Sequence, residues 1–553
     1  MGFQAVILCG PGVSLTTFTS KEDSPKCLIP VANRPMVYYP LQFCKKAGIT
    51  DITLITPPSA AAPLQAALQQ NPYLTSLSSP SPSILAPADL EMTTGTAELL
   101  RLPEVQACIK SNFLLLPCDI ICEIPGESLL EAWMVADDFT TQEPRHTYGL
   151  SSGPGAEQFR PRGGLSVFYQ TEGREESVKG EPTDLVATAP LEQDEAPAVS
   201  HPLDGPAALR FGLSKLVMSM PMDTVKEKME QDKGFLMRHS LVETHPQVKI
   251  LTKYRDAHLY IFPYWIKALV REQEKFESVS EDLIGYWAKA EWQRGLGDKL
   301  GINKIFQKES HSNDDSGSHD GESLEDEIDL HSLSTTKAGL PKSATTVEVN
   351  SESSIYASRV KAQASKTKSE KVPPMLAYVQ RSSAPFVRRV DSTATLLTTS
   401  LRLAKLESIE DVGRTVASPF AHNQKVAHPE GVAQRCTVTK SDCLLGQNTT
   451  VAEKCVIKES CIGSNVTIGS GARLTRCVVF DGAIISERAT LTGCVIGRRS
   501  QIGRECSLKD CEVQDGNVVP EDTDAKNEKF MIFEGLDDEE DDMDDMSEDS
   551  YDS

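Results

Sequence analysis

Several features are missing from this 553-residue chain, and each absence removes a class of function. No apolar run is long enough to span a bilayer, and Met1-Gly2-Phe3-Gln4 opens no charged-apolar-small leader. A soluble, unexported protein of the cytosol is therefore expected. Fourteen cysteines are present but no CxxC pair, and Cys118 with Cys122 is too isolated to supply four ligands. The expectation is reduced thiols, with no metal and no other cofactor. Basic residues are outnumbered, the formal net charge is -23, and nothing in the sequence suggests the basic face that nucleic acid requires. None of the ten histidines stands with a cysteine or serine in a recognisable catalytic arrangement.

The charge is unevenly spread. Between Glu521 and Ser553 sixteen acidic residues face two lysines, so this stretch carries -14 of the total and the body is only mildly acidic. Residues 521–553 are expected to form an acidic, disordered tail. Residues 308–374 are poor in aromatics and dense in Ser, Asp, Glu and Lys, a composition that cannot bury enough surface to offset its ordering entropy. Residues 153–206, rich in Gly, Pro, Glu and Ser, read as a decorated insertion with one strand at Leu165 to Tyr169.

What remains alternates between strand and helix. Phe3 to Leu8, Ile52 to Thr56 and Phe113 to Leu116 are short apolar runs that stop at Gly or Pro, as buried strands do. Pro35 opens a helix with apolar positions at Val37, Leu41 and Cys44, Gly48 stands where a left-handed C-cap is wanted, and Pro40 is expected to kink it. Asp256 to Val270 and Ser280 to Leu300 carry helix-like spacing, and Met375 to Val379 looks like a further strand. This order favours a parallel sheet in an α/β domain covering residues 1–400.

A stronger signal begins near Val438. Apolar residues recur at steps of six, six and five from Leu445 through Val513, a period of 17 repeated four times. Three short strands per turn make a triangular coil, in which inward residues are buried only by stacking one turn on the next. The period also accounts for Cys443, Cys477, Cys494 and Cys511, which occupy one equivalent position with Ser460 filling the missing turn. Residues 436–520 are therefore expected to be a hexapeptide-repeat, left-handed parallel β-helix of four coils.

Ala5 to Thr19, then Ser24-Pro25-Lys26-Cys27-Leu28-Ile29-Pro30-Val31, then Ala47-Gly48-Ile49, resemble the opening of the sugar-phosphate nucleotidyltransferases, whose Rossmann-like domain is commonly followed by such a β-helix. The resemblance implies attack of a sugar phosphate on a nucleotide α-phosphate, which needs a Gly-rich turn, an Arg, a Lys and carboxylates holding Mg²⁺. That family's loop reads G-G-x-G-T-R-L, whereas this chain has Gly10-Pro11-Gly12-Val13-Ser14-Leu15, with one Gly lost and Ser14 where the Arg belongs. Losing that guanidinium costs about 10²- to 10³-fold in rate. Lys26 matches the family's Pro-Lys lysine, Asp119 its first metal aspartate, and Gly95-Thr96-Ala97 its base-contacting G-T-A. The later E-K-P and aromatic-x-D-x-G-T elements are not found, and Asp256 to Phe262 keeps only the outline of the sugar-binding strand. The resemblance thus leaves a vestigial nucleotide pocket of Gly10, Gly12, Lys26, Gly95, Thr96 and Asp119, with no catalytic residue.

Among degenerate members, Phe3-Gln4-Ala5-Val6, Tyr38-Tyr39-Pro40-Leu41, Asp256-Ala257-His258-Leu259-Tyr260 and the coils are most similar to the gamma-type subunits of the exchange factor for translation initiation factor 2. This implies a non-catalytic subunit, partnered by the catalytic epsilon subunit and other subunits and acting on GDP-bound initiation factor 2, with neither nucleic acid nor membrane as direct partner. A sugar-1-phosphate guanylyltransferase, or its regulatory subunit, is the alternative.

Overall fold

The computed structural model describes residues 2–10, 14–19, 24–77, 80–91, 93–140, 162–191, 209, 212–306, 372–382, 384–414 and 417–531. The strands of the first domain, in chain order, are β1 Phe3–Leu8, β2 Pro30–Val31, β3 Arg34–Pro35, β4 Asp51–Ile55, β5 Ser83–Leu85, β6 Asn112–Pro117, β7 Ile120–Cys122, β8 Gly164–Gln170, β9 Asp184–Ala189, β10 Leu213–Pro221, β11 Lys249–Phe262, β12 Met375–Val379 and β13 Val387–Arg389. Nine of them form one sheet in the order β5-β4-β1-β6-β11-β8-β12-β10-β9.

The first four of these run parallel, as the strand-helix-strand order predicts, but β11 enters antiparallel to both β6 and β8. The sheet is therefore mixed, not mainly parallel. Asp256 to Phe262 belongs to β11, not to a helix. Ala257, Leu259, Tyr260, Ile261 and Phe262 are all buried, and a strand covered on both faces reads as a continuous apolar run whose spacing does not separate it from a helix. The helix follows at Ile266–Glu272.

The segment read as an insertion at 153–206 also contributes to the core, because β8 and β9 lie inside it and pair with β11, β12 and β10. The disordered reading of 308–374 falls almost wholly outside the described residues. The first long helix spans Tyr38–Lys46, so Pro40 lies in its first turn, where a missing N–H loses no helical partner and forces no kink. Gly48 ends it with φ +73, and Ile49 N–H donates to Cys44 O across the cap.

After residue 436 the chain winds into three parallel sheets of six, six and five strands. The first pairing, Val438↔Ile457, is two residues out of step, and from Leu445↔Ile462 through Ile485↔Ile502 to Val513↔Phe530 each partner lies 17 residues on. The inward residues form a continuous core from Leu445 to Ala525. The winding exceeds the expected four coils at both ends. Val426 and Val432 already bridge to Leu445 and Val451, and strands Asp524–Lys526 and Lys529–Phe530 extend it past Pro520, where the acidic tail was expected to start. Val519, Ala525 and Phe530 keep the period while their neighbours turn acidic, so charge hid the continuing repeat. Residues 532–553 lie outside the described residues.

One face of this prism is covered by the first domain. Leu444, Cys461, Val478 and Val495 precede inward residues, point outward, and are buried in one core with Phe18, Cys27, Leu401 and Phe420. The helix Thr393–Lys405 lies between the two bodies, with Ser400 O accepting from Cys461 Sγ at 3.2 Å and Ser400 Oγ accepting from Ala32 N–H at 3.2 Å.

Candidate nucleotide pocket

The parallel strands β1 and β6 end side by side, Leu8 opposite Pro117, and aim Cys9-Gly10 and Cys118-Asp119 into the crevice where ligands bind in open α/β sheets. Asp119 is 1% exposed, and its two oxygens are engaged by cations of the same chain. Lys26 Nζ stands 2.8 Å from Oδ2, and Arg389 grips the carboxylate from the side, Nε 3.2 Å from Oδ1 and Nη2 3.1 Å from Oδ2. Arg389 is placed by β13, which pairs antiparallel with β7 so that Arg389 faces Ile120, and Val390 N–H donates to Asp119 O. Burial would push the Asp119 carboxyl up, but Arg389 and Lys26 outweigh it and hold the group well below the usual carboxylate range. Burial works against the charge of Lys26 too, and Asp119 overcomes it, so the ammonium is retained.

A second layer lies behind this trio. Asp256 accepts from the Tyr260 hydroxyl at 2.6 Å and from His258 N–H at 2.9 Å, and its own N–H donates to Asp184. Burial lifts the Asp256 carboxyl to about 7, and burial together with Arg389 keeps His258 neutral. Farther along, Glu181 is held by Arg388 at 2.7 Å, by Arg255 and by the Tyr169 hydroxyl at 2.8 Å, and Arg255 also pairs with Asp391. Three groups of buried polar side chains thus lie near one another: Asp119 with Lys26 and Arg389, Asp256 with Tyr260 and Asp184, and Glu181 with Arg388 and Arg255.

These donors do not fit a catalytic Mg²⁺. The one carboxylate in metal-binding position has both oxygens committed to cations, and the described residues hold no cluster of three or more metal-ligating side chains. An entering ion would have to displace an ammonium and a bidentate guanidinium.

The remaining sequence-predicted residues divide. Lys26 and Asp119 are in direct contact. Gly95 and Thr96 serve their own backbone: a Cβ on Gly95 would sit 2.2 Å from Glu277 O, and Thr96 Oγ1 accepts from Val279 N–H at 2.9 Å while Ala97 N–H donates to Glu277 O. A Cβ on Gly10 would meet nothing within 4 Å, and its φ is not in the left-handed region, so no local constraint demands glycine there. Gly12 lies outside the described residues.

The loop that should cradle phosphates is bound to the coil instead. Ser14 Oγ is buried, Phe18 packs edge-on against Phe480 with ring centroids 5.4 Å apart, and Thr17 Oγ1 donates to Glu512 at 2.8 Å. Arg498 reaches back to Ser24 Oγ at 2.9 Å and Leu28 O at 2.6 Å, and Asn33 Nδ2 donates to Ile462 O at 2.6 Å. Sequence reasoning missed Arg389 and this docking. A signal for the docking was present, since the pairs Leu444-Leu445, Cys461-Ile462, Val478-Val479 and Val495-Ile496 put a second apolar residue beside the inward one in a single column.

Fold and crevice together define a nucleotidyltransferase-like domain joined to a coiled hexapeptide-type domain. The Nucleotidyl transferase family model matches residues 4–149, and the model for the EIF2B subunit epsilon LbH domain matches residues 423–525. Among curated proteins the chain is similar to translation initiation factor eIF2B subunit gamma of Schizosaccharomyces pombe, 27% identical over 332 residues that cover 60% of each protein. It is also similar to the subunit of the same name from Dictyostelium discoideum, 24% identical over 291 residues, 51% of this chain and 56% of the relative. The chain thus spans about three-fifths of the length of these relatives.

Proposed function

We propose that this chain is a non-catalytic, gamma-type subunit of the guanine-nucleotide exchange factor for translation initiation factor 2. It acts in the cytosol, pairs with a catalytic epsilon-type subunit, and promotes GDP release from initiation factor 2. The observation that carries this reading is Asp119 saturated by Lys26 and Arg389: a carboxylate neutralised from within offers nothing to a metal-bound nucleotide. Ser14 in place of the arginine, and the docked loop around Thr17 and Phe18, support it. In this reading Lys26 and Asp119 are remnants of a nucleotide pocket turned to structural use. The first domain, taken to about residue 400, is a Rossmann-like nucleotidyltransferase fold, and the coil is a left-handed parallel β-helix. A fold alone does not fix a function, and here the altered site argues for binding over turnover.

Two measurements on the purified chain separate this from the guanylyltransferase alternative. With GTP, a sugar 1-phosphate and Mg²⁺, no pyrophosphate should be released. Expressed in a eukaryotic cell, the chain should co-purify with an epsilon-type subunit. Steady pyrophosphate release, or co-purification with an active sugar-nucleotide transferase instead, would defeat the proposal.

A further inference from the structure

Outside the crevice, a second concave surface lies beside β10. Met218 and Met220 of β10, Leu241 and Trp292 floor a cavity of about 220 Å³, with Met229 and Leu236 on its lip, 43% and 74% exposed. The Trp292 indole is fixed by donation to Val217 O at 2.9 Å, which anchors the floor, while the unbranched Met229 side chain on the lip can repack. Lys228, Arg238 and Lys289 stand around the same cavity, and among the described residues none of the three has a carboxylate within ion-pair distance. Asp232 is the one acidic side chain lining it. An apolar floor inside a ring of cations without carboxylate partners fits an acidic segment with interleaved apolar side chains.

We infer that the occupant is this chain's own segment 322–333. There Leu324, Ile328, Leu330 and Leu333 are interleaved with Glu322, Glu325, Asp326, Glu327 and Asp329. The acidic run Asp537 to Asp542 has no apolar residue within it, so it matches the charge of the groove but not its floor. The tether is favourable. Phe306, the last described residue before the segment, packs on Trp265, and on the return Trp287 Nε1 donates to Pro373 O at 2.8 Å. Trp287 shares the helix Ile284–Ala290 with Lys289, so the chain re-enters within about one helix diameter, ~10–12 Å, of the groove. Eighteen residues separate Phe306 from Leu324, a span of roughly 23 Å for a flexible chain, which gives an effective concentration on the order of millimolar.

Hydrogen exchange followed by mass spectrometry on the full chain tests this. Replacing Leu324, Ile328, Leu330 and Leu333 with Ser should speed amide exchange in the helices Met222–Asp232 and His239–Thr244 about tenfold. A synthetic peptide of residues 320–335, added to that variant at millimolar concentration, should restore protection. Arg238→Glu should speed exchange as the serine variant does, and Arg238→Lys should not, with far-ultraviolet circular dichroism unchanged in both. Unchanged exchange in the serine variant would overturn the inference. So would acceleration that follows removal of residues 532–553 instead, or protection that varies with protein concentration, which would assign the groove to a second copy.

Discussion

Replacing Asp119 with Asn removes the carboxylate that, among the described residues, pairs with both Lys26 and Arg389, and the structure sets the size of the effect. The carboxylate is 1% exposed and its two partners are 11% and 14% exposed, so solvent screens little of the interaction. Two cations left buried without a counter-charge should cost about 3–5 kcal/mol, whereas Lys26→Met leaves the bidentate Arg389 pair intact and should cost only about 1–2 kcal/mol. Arg389→Met should fall between them. All four tryptophans, Trp133, Trp265, Trp287 and Trp292, are buried in the first domain, so their fluorescence during urea unfolding reports the stability of that domain. The Asp119→Asn midpoint should drop by about 1 M or more. The depressed carboxyl contributes stability above about pH 4 that is lost as pH falls toward its folded value, so the gap between wild type and Asp119→Asn should close in acid. Mg²⁺ should not stabilise the wild type. The reasoning fails if Asp119→Asn unfolds at the wild-type midpoint, or if millimolar Mg²⁺ raises the wild-type midpoint and leaves the variant unmoved.

Three further outcomes are expected. Asp256 titrates near 7 when folded and near 3.9 when unfolded, so its contribution makes the fold less stable as pH rises between those values. His258, kept neutral, contributes the opposite trend near its unfolded value. Asp256→Asn should therefore gain relative to wild type from pH 4 to 7, by at most about 4 kcal/mol, and equilibrium unfolding at several pH values should show that difference levelling off above about 7. Gly95→Ala drives a methyl into Glu277 O at 2.2 Å and should cost about 1–3 kcal/mol, visible as a lower melting temperature with no change in partner binding. Ending the chain after Met531 should leave the thermal stability of the coil unchanged. Ending it after Pro520 strips the last strands from Leu508 and Val513 and should lower that stability, read by the temperature of aggregation.

Much of the coil was legible because its signal is local and periodic: Leu445, Ile462, Val479 and Ile496 each lie 17 residues from the next, and each stacks on the next. Where the period continued beneath acidic neighbours, composition concealed Ala525 and Phe530. In the first domain the runs at Phe3, Ile52, Phe113 and Met375 were readable since each is a short apolar strand ending at Gly, Pro or a polar turn, whereas β11, buried on both faces, gave no period to distinguish it from a helix. The crevice was half legible. Lys26 and Asp119 carry family-like neighbours in sequence, but Arg389 lies 270 residues beyond Asp119, and only the pairing of β13 with β7 brings it there. Gly95 and Thr96 matched a motif whose local requirement, close approach to residues 277–279, is backbone packing.

The most direct test of the central claim is the rate of GDP release from initiation factor 2, measured with labelled GDP, for an epsilon-type subunit alone, for this chain alone, and for the two together. The account predicts no acceleration by this chain alone and faster release by the pair than by the epsilon-type subunit. Release at the full rate by this chain alone, or a pair no faster than its partner, would contradict it.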